Sequence, residues 1–240
     1  MVHHEALRTG YRSPFSRILI RAVSVSQYSS VVSVQELALP PKAARALEKG
    51  TALLLKNNPQ ASVSYFQTTI ALAPDSFHAY HNVAIAHYHL GDLEEAEREF
   101  RRSIELSRGS FAPSLFGLSM ILYQRGELLE AESLTQKGLL ATPSSAIGKY
   151  CLGLLQFALG QIAEAEHSAL DAIHLDPDQA DGDVYLLLAR THERLNDPDA
   201  VVADVRTYFS RSRKRSLQAD AQGLLERAQQ NLGRFSTAIN

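Results

Sequence analysis

The sequence predicts an all-α fold in which short amphipathic helices pair into hairpins and the hairpins stack in series. Small residues recur at nearly constant steps of 34, 35 and 34 residues, at Gly50, Ala84, Ser119 and Gly153. Between these positions, apolar residues return at spacings of three and four, which is the period of a helix. A constant step of this length is typical of repeated supersecondary units that stack on one another.

The stretch from Ala79 to Leu106 shows the repeated unit most clearly, as two helices around a turn at Gly91-Asp92. Each helix has an inward stripe at helical spacing, formed by Tyr80, Val83, Ala84 and His87 in the first and by Leu93, Ala96, Phe100, Ser103 and Ile104 in the second. Gly91 supplies the left-handed residue that helix C-termini favour. Ala84 and Ala96 are small, which lets the two helix axes approach where they cross.

The second helix of this unit carries a dense charge run. Glutamates fill its first turns and arginines follow three or four residues later, at Glu94, Glu95, Glu97, Arg98, Arg101 and Arg102. Opposite charges at these spacings are neighbours on one helix surface. We interpret the run as a solvated outer face with pairs inside one helix, rather than as a ligand site.

These residues resemble the tetratricopeptide repeat, whose period is 34 residues. The resemblance covers five units, the last with a degraded register: about 43–76, 77–110, 112–145, 146–179 and 182–210. It implies a right-handed α-solenoid over residues 42–210, in which first helices line a concave face and second helices a convex face. Residues 216–240 are expected to form a partial sixth repeat, with a turn at Leu232-Gly233, or a capping helix.

The composition excludes several classes of protein. The 240 residues carry a formal net charge of −2, so no global field favours nucleic acid or acidic lipid. Cys151 is the single cysteine, which excludes an internal disulfide and indicates a small core residue. No apolar run approaches the ~20 residues of a membrane helix. A cytoplasmic location is therefore expected, with export or envelope association open if the natural N-terminus differs.

The N-terminal segment, residues 1–41, differs from the repeats. Its first thirty-odd residues hold four arginines, many serines and one acid, Glu5, a composition similar to that of a transit peptide. We interpret the segment as partly disordered or extended, and targeting is the alternative. The stretch 33–43 is similar to a lead-in of some bacterial repeat proteins, which suggests a bacterial origin. The apolar stretch from Val31 to Leu39 is a candidate lid on the concave groove.

The concave face is the expected binding surface. First-helix positions beyond the inward stripe are apolar and aromatic in the middle repeats, and such residues anchor interfaces. We therefore predict a peptide-binding groove formed by His78, His81, Ile85, Tyr88, His89, Phe116, Met120, Tyr123, Tyr150, Leu154, Phe157 and Arg190. The alternative is that rings such as Phe116, Tyr150 and Phe157 only pack against adjacent repeats.

The resemblance also bears on the ligand. Some members of the family clamp a C-terminal carboxylate with lysines and asparagines, but Leu47 and His81 occupy those positions here. An apolar or amphipathic segment of a partner protein is the better ligand. The interpretation is a non-enzymatic scaffold, adaptor or assembly factor that uses no cofactor and no small-molecule substrate. Oligomerisation through the end repeats is left open.

Three rival functions have weaker support. His78 and His81 have a spacing that metal ligands use, but no Cys, Asp or Glu joins them on that face, so no metal site is predicted. No phosphate loop, nucleophile elbow or pair of buried carboxylates indicates catalysis, unless the chain is the non-catalytic part of a larger enzyme or envelope-assembly machine. A nucleic-acid-associated adaptor would use the basic run at Arg211, Arg213, Lys214 and Arg215.

Overall fold

The computed structural model describes residues 39–177, 182–212 and 217–238, and within these ranges the chain is entirely helical apart from turns and short connections. Eleven helices follow one another there, and ten of them pair into five hairpins. The predicted all-α repeat fold is confirmed. The chain divides into two compact units, Met1–Ala141 and Thr142–Asn240, which we call unit 1 and unit 2.

Unit 1 holds three hairpins in which each helix packs on the next one along the chain. Its helices are α1 Pro41–Leu55, α2 Pro59–Leu72, α3 Phe77–Leu90, α4 Leu93–Leu106, α5 Ala112–Arg125 and α6 Leu128–Ala141. The first helices also contact one another, since α3 touches both α1 and α5. The helix α3 is therefore enclosed on several sides.

The turns of unit 1 follow from local chemistry. Gly91 ends α3 in the left-handed conformation, with φ of 88°, and the Asp92 N–H donates to the His87 carbonyl at 3.0 Å. At the start of the same helix, the Ser76 side chain accepts a hydrogen bond from the Ala79 N–H at 3.4 Å. These signals fix both ends of the hairpin's first helix.

Close packing inside unit 1 depends on positions without side chains. A Cβ added to Gly50 would lie 2.6 Å from the Phe66 ring, and one added to Gly117 would lie 2.4 Å from the Phe100 ring. Phe66 and Phe100 come from the second helices and are fully buried. The rings of one helix thus fill the space that glycine leaves in another, and a methyl group there would overpack the core.

Unit 2 holds two hairpins and a final long helix, namely α7 Ala146–Ala158, α8 Ile162–Leu175, α9 Gly182–Leu195, α10 Pro198–Arg211 and α11 Gln218–Ala238. Its end is a cluster in which Leu217, Ala221, Leu224 and Ala228 pack with the α9 and α10 core. The backbone of α11 stays helical through Gly233, so the turn predicted there does not form. One glycine costs only about 1 kcal/mol in a helix and does not break it without other stop signals.

Candidate partner-binding surface

Two of the first helices of unit 1, α3 and α5, are buried over much of their circumference. In α5 the nine consecutive residues from Ser114 to Leu122 are all buried, whereas α4 buries only Ala96, Phe100 and Ser103. A helix that is apolar on every side lies inside a protein, and one with a single apolar stripe lies at its surface. The second helices therefore form the amphipathic exterior, while the first helices form the middle of the stack.

This burial corrects the expectation about the groove. Seven of the twelve predicted groove residues are buried, with at most 8% of their surface exposed: His81, Ile85, Tyr88, Phe116, Met120, Tyr150 and Leu154. The expectation that packing leaves these side chains free is wrong, because each first helix is enclosed by its own second helix and by neighbouring hairpins. The missed signal is the lack of a polar face on α5.

Phe116 shows how the packing uses one of these residues. A Cβ added to Gly138 on α6 would lie 2.4 Å from the Phe116 ring, so this ring presses directly on the second helix of its own hairpin. Thr135 occupies the position where the other unit-1 repeats place Phe66 and Phe100. In the third repeat the aromatic ring therefore comes from the first helix, and Phe116 belongs to the core.

Polar side chains connect the first helices of neighbouring hairpins. The Asn82 amide on α3 donates to the Thr51 hydroxyl on α1 at 3.3 Å. On the other side of α3, the Tyr88 hydroxyl is hydrogen-bonded to the Gln124 amide of α5. Because buried polar groups are costly unless paired, these bonds favour one register between the helices.

His81 belongs to a third connection of this kind. Its Nδ1 lies 3.0 Å from the Ser114 hydroxyl, which is 2.7 Å from the Ser103 hydroxyl, and Ser103 donates to the Phe77 carbonyl at 2.9 Å. The Nε2 atom is buried and has no hydrogen-bond partner among the described residues. Burial, with a smaller contribution from His78, lowers the pKa of His81 to about 3, so the ring is neutral.

The other five predicted residues keep part of their surface exposed. In unit 1 these are His78, His89 and Tyr123, which lie on α3 and α5. The His78 ring lies 4.1 Å from the Phe77 ring and 4.5 Å from the Phe111 ring, between centroids. We call these three residues, together with Leu47, Thr51 and Gln124, which are also half-buried on α1 and α5, the inner face of unit 1.

The two remaining predicted residues, Phe157 and Arg190, lie in unit 2 and have different surroundings. Phe157 is half-buried near the end of α7. Arg190 forms an ion pair with Asp220 on α11 through two of its nitrogens, so its guanidinium contacts the last helix. Arg227 of α11 donates to Glu193 of α9 at 2.6 Å in the same junction. Arg190 is thus engaged in a structural contact that the sequence did not indicate.

Unit 2 also contains a charged junction between three helices. The His192 ring on α9 lies between Asp204 on α10, 2.6 Å from Nδ1, and Glu166 on α8, 3.0 Å from Nε2. The hydrogen bonds to these carboxylates, that to Asp204 first, outweigh burial and raise the pKa of His192 to about 9. The imidazolium therefore carries its charge at neutral pH. Sequence reasoning did not single out this residue.

Other site chemistries find little support in the described ranges. No group of three His, Cys, Asp or Glu side chains there could hold a metal ion. Cys151 is buried, and burial raises the pKa of its thiol, which disfavours the nucleophilic thiolate. None of the helices in those ranges has the length and apolar character needed to cross a membrane.

Two predicted features lie mostly outside the described residues. Of the candidate lid, only Leu39 is described. Of the basic run, Arg211 alone is described; it donates to the Pro177 carbonyl at 2.7 Å and lies over the Tyr185 ring at 5.4 Å. This guanidinium therefore contacts its own chain.

Comparison with known proteins agrees with the fold. A tetratricopeptide repeat family model matches residues 47–113. No curated protein sequence matches the chain. Solved structures with the same fold include a thermophilic TPR protein of Thermus thermophilus, at 18% identity and a TM-score of 0.62, over 79% of this chain and 98% of that one.

Two further structures are similar. PilW, a type IV pilus biogenesis factor, is 18% identical with a TM-score of 0.69, over 81% of this chain and 87% of that one. YrrB, a TPR protein described as having an unusual peptide-binding site, is 13% identical with a TM-score of 0.53. The match covers 75% of this chain and 92% of that one. At these identities the likeness shows the fold alone. The matched family model places tetratricopeptide repeats at residues 47–113, and the hairpins of the described ranges share the fold of these solved structures.

Proposed function

We propose that this chain is a non-enzymatic interaction module that binds an amphipathic segment of a partner protein on the inner face of unit 1. Tetratricopeptide repeat proteins generally serve as interaction scaffolds, and stacked hairpins present side chains from successive repeats on one surface.

The observation that carries the proposal is the combination of groups that packing leaves exposed. His78, His89 and Tyr123 each combine an aromatic ring with a polar atom. Aromatic side chains anchor interfaces, since they bury a large area and lose little rotamer entropy. A segment with alternating apolar and polar groups suits these residues better than a purely apolar one.

The burial of Ile85, Phe116 and Met120 sharpens the expected mode of binding. These side chains lie inside the stack, so a partner cannot insert between them without separating hairpins. We therefore expect the segment to lie across the surface of α1, α3 and α5, contacting the half-buried rings from outside. Phe157 is the corresponding candidate in unit 2, where the partner would be contacted separately.

A photocrosslinking experiment tests the proposal. The substitution Tyr123→p-benzoylphenylalanine places a crosslinker on the inner face, and mass spectrometry of the crosslinked product identifies the partner peptide. That peptide is synthesised with a fluorophore, and its dissociation constant is measured by anisotropy. We expect Tyr123→Ala and His89→Ala each to weaken binding by about tenfold, as typical anchor residues do.

The matched control is Leu140→Ala, because Leu140 is 83% exposed on the second helix α6 and contributes little to packing. This variant should bind the peptide as the unchanged protein does. Circular dichroism verifies that all variants keep their helicity. Equal binding by the Tyr123 and Leu140 variants, or a crosslinked peptide that does not bind in isolation, would overturn the proposal.

A further inference from the structure

The outer end of unit 1 has a surface that the other hairpins use for stacking. In the second repeat, Ala79, Val83 and Ala86 of α3 are at most 2% exposed where α3 packs on the preceding hairpin. One period of 34 residues earlier, α1 has Arg45, Lys49 and Ala52 at the same positions, and all three are exposed. Because no described hairpin precedes α1, this stacking face is uncovered.

The uncovered face contains a cleft of about 250 Å³ between α1 and α2. Its lining combines apolar groups with two cations: Ala52, Leu53 and Tyr65, with Lys49 and Lys56. Two further apolar side chains of the same hairpin are exposed, Leu55 at 52% and Leu72 at 43%. A suitable occupant therefore offers apolar side chains and at least one negative charge.

We propose that residues 31–38 of the same chain bind this cleft and cover the end of the stack. The segment reads V-V-S-V-Q-E-L-A and lies outside the described residues. It offers four large apolar side chains, and Glu36 is its only charged residue. The apolar side chains of the segment suit the apolar lining of the cleft, and Glu36 is complementary in charge to Lys49 and Lys56.

The chain geometry permits this contact. Lys49 and Lys56 lie about 12 Å and 22 Å along α1 from its first residue, Pro41, at 1.5 Å per helical residue. Eight residues span up to about 26 Å when extended. Pro40 has φ of −52° and ψ of 140°, so the chain leaves the helix axis immediately before α1. A tether this short gives an effective concentration in the millimolar range.

Crosslinking again provides the test, with the full chain. Tyr65→p-benzoylphenylalanine places a crosslinker in the cleft, and we expect mass spectrometry to find crosslinks to residues 31–38 within one molecule. The same crosslinker at Leu140 is the control for nonspecific collapse and should not capture that segment. The same crosslinker at position 123 tests whether residues 31–38 instead lie on the inner face as a lid. Crosslinks from Tyr123 alone, crosslinks only between two molecules, or none to the segment would each overturn the proposal.

A charge exchange tests the role of the lysines. We expect Glu36→Lys to lower the crosslink yield from position 65 by about fivefold, and Lys49→Glu with Lys56→Glu to do the same. The three changes combined should restore most of the yield, because the charges again attract. Yields that stay equal in all variants, or that are not restored in combination, would contradict the proposal. The result is independent of partner binding on the inner face.

Discussion

His81 in unit 1 and His192 in unit 2 each connect neighbouring hairpins, but their surroundings differ in kind. His81 is 1% exposed, contacts the Phe100 and Phe111 rings, and has a neutral hydroxyl as its hydrogen-bond partner. His192 is also largely enclosed, with 14% of its side chain exposed, and lies between two carboxylates.

A repeat fold can thus use one residue type for two kinds of junction between hairpins. In an apolar setting the charged imidazolium is destabilised, so the pKa of His81 falls to about 3. Between Asp204 and Glu166 it is stabilised, so the pKa of His192 rises to about 9. The unit-1 junction should therefore be sensitive to acid and the unit-2 junction to base.

The largest expected effect is the acid sensitivity of unit 1. Because the pKa of His81 is lower in the folded chain than the ordinary 6.5, the unfolded state binds more protons between these values, and stability is lost as pH falls below 6.5. At pH 5 the loss is about 2 kcal/mol, from 1.36 kcal/mol per pH unit. Hydrogen exchange of the α3 and α5 amides, corrected for intrinsic rates, measures it.

The control for this prediction is His81→Asn, which keeps a polar atom near Ser114 but does not titrate in this range. The variant should lose less stability than the unchanged protein between pH 7 and pH 5, whatever its stability at pH 7. Identical losses in both forms would show that the titration of His81 does not govern the unit-1 junction.

The second prediction concerns the charged junction of unit 2. A raised pKa means that the stabilisation is fully present below pH 6.5 and is lost as pH rises towards 9. We expect His192→Asn to destabilise unit 2 by about 1–2 kcal/mol at pH 6, because two carboxylates lose the cation between them. The measurement is hydrogen exchange of α8, α9 and α10 at pH 6 and pH 9.

The difference between the two forms should shrink at pH 9, where about half of the His192 rings in the unchanged protein have lost their charge. A difference that stays constant from pH 6 to pH 9 would assign the effect of the substitution to packing rather than to charge. Asp204→Asn provides a second readout, because it removes the carboxylate that contributes most to the raised pKa.

The sequence predicted the hairpins but not these junctions. The hairpins follow from the period of 34 residues and from local signals such as Gly91, which act over a few residues. The partners of His192 come from positions 26 residues before it and 12 after it, on two other helices. Their meeting depends on how the helices pack, which the spacing along the chain does not specify.

The inner face was predicted only in part for a related reason. The sequence of a helix such as α5, which has no polar side, does not show which of its sides is exposed. Buried Phe116 and half-buried Tyr123 therefore could not be distinguished from the sequence. One usable signal was present: polar residues about one period apart inside apolar helices, as in the pairs Asn82 with Thr51, His81 with Ser114 and Tyr88 with Gln124. Such pairs mark the sides where first helices touch.

The smallest expected loss of stability concerns Glu97, whose ion pairs form a more exposed charged junction in unit 1. Glu97 on α4 pairs with Arg101 of its own helix at 2.7 Å and with Arg125 of α5, and the nearby guanidinium groups hold its pKa below the usual value despite partial burial. Because the arginines are partly exposed, we expect Glu97→Gln to destabilise unit 1 by less than about 1 kcal/mol, and by still less in 1 M salt.

Glu105→Gln is the matched control, because the ion pair of Glu105 lies within α4, with Arg102 at 2.7 Å. Its loss should be smaller than that of Glu97→Gln at low salt, since this pair does not connect two hairpins. Urea titrations of both variants at low and high salt, followed by circular dichroism, measure the difference. If Glu97→Gln proves as costly as His192→Asn and insensitive to salt, exposure does not separate the two junctions. The contrast would then have to come from the geometry of the pairs.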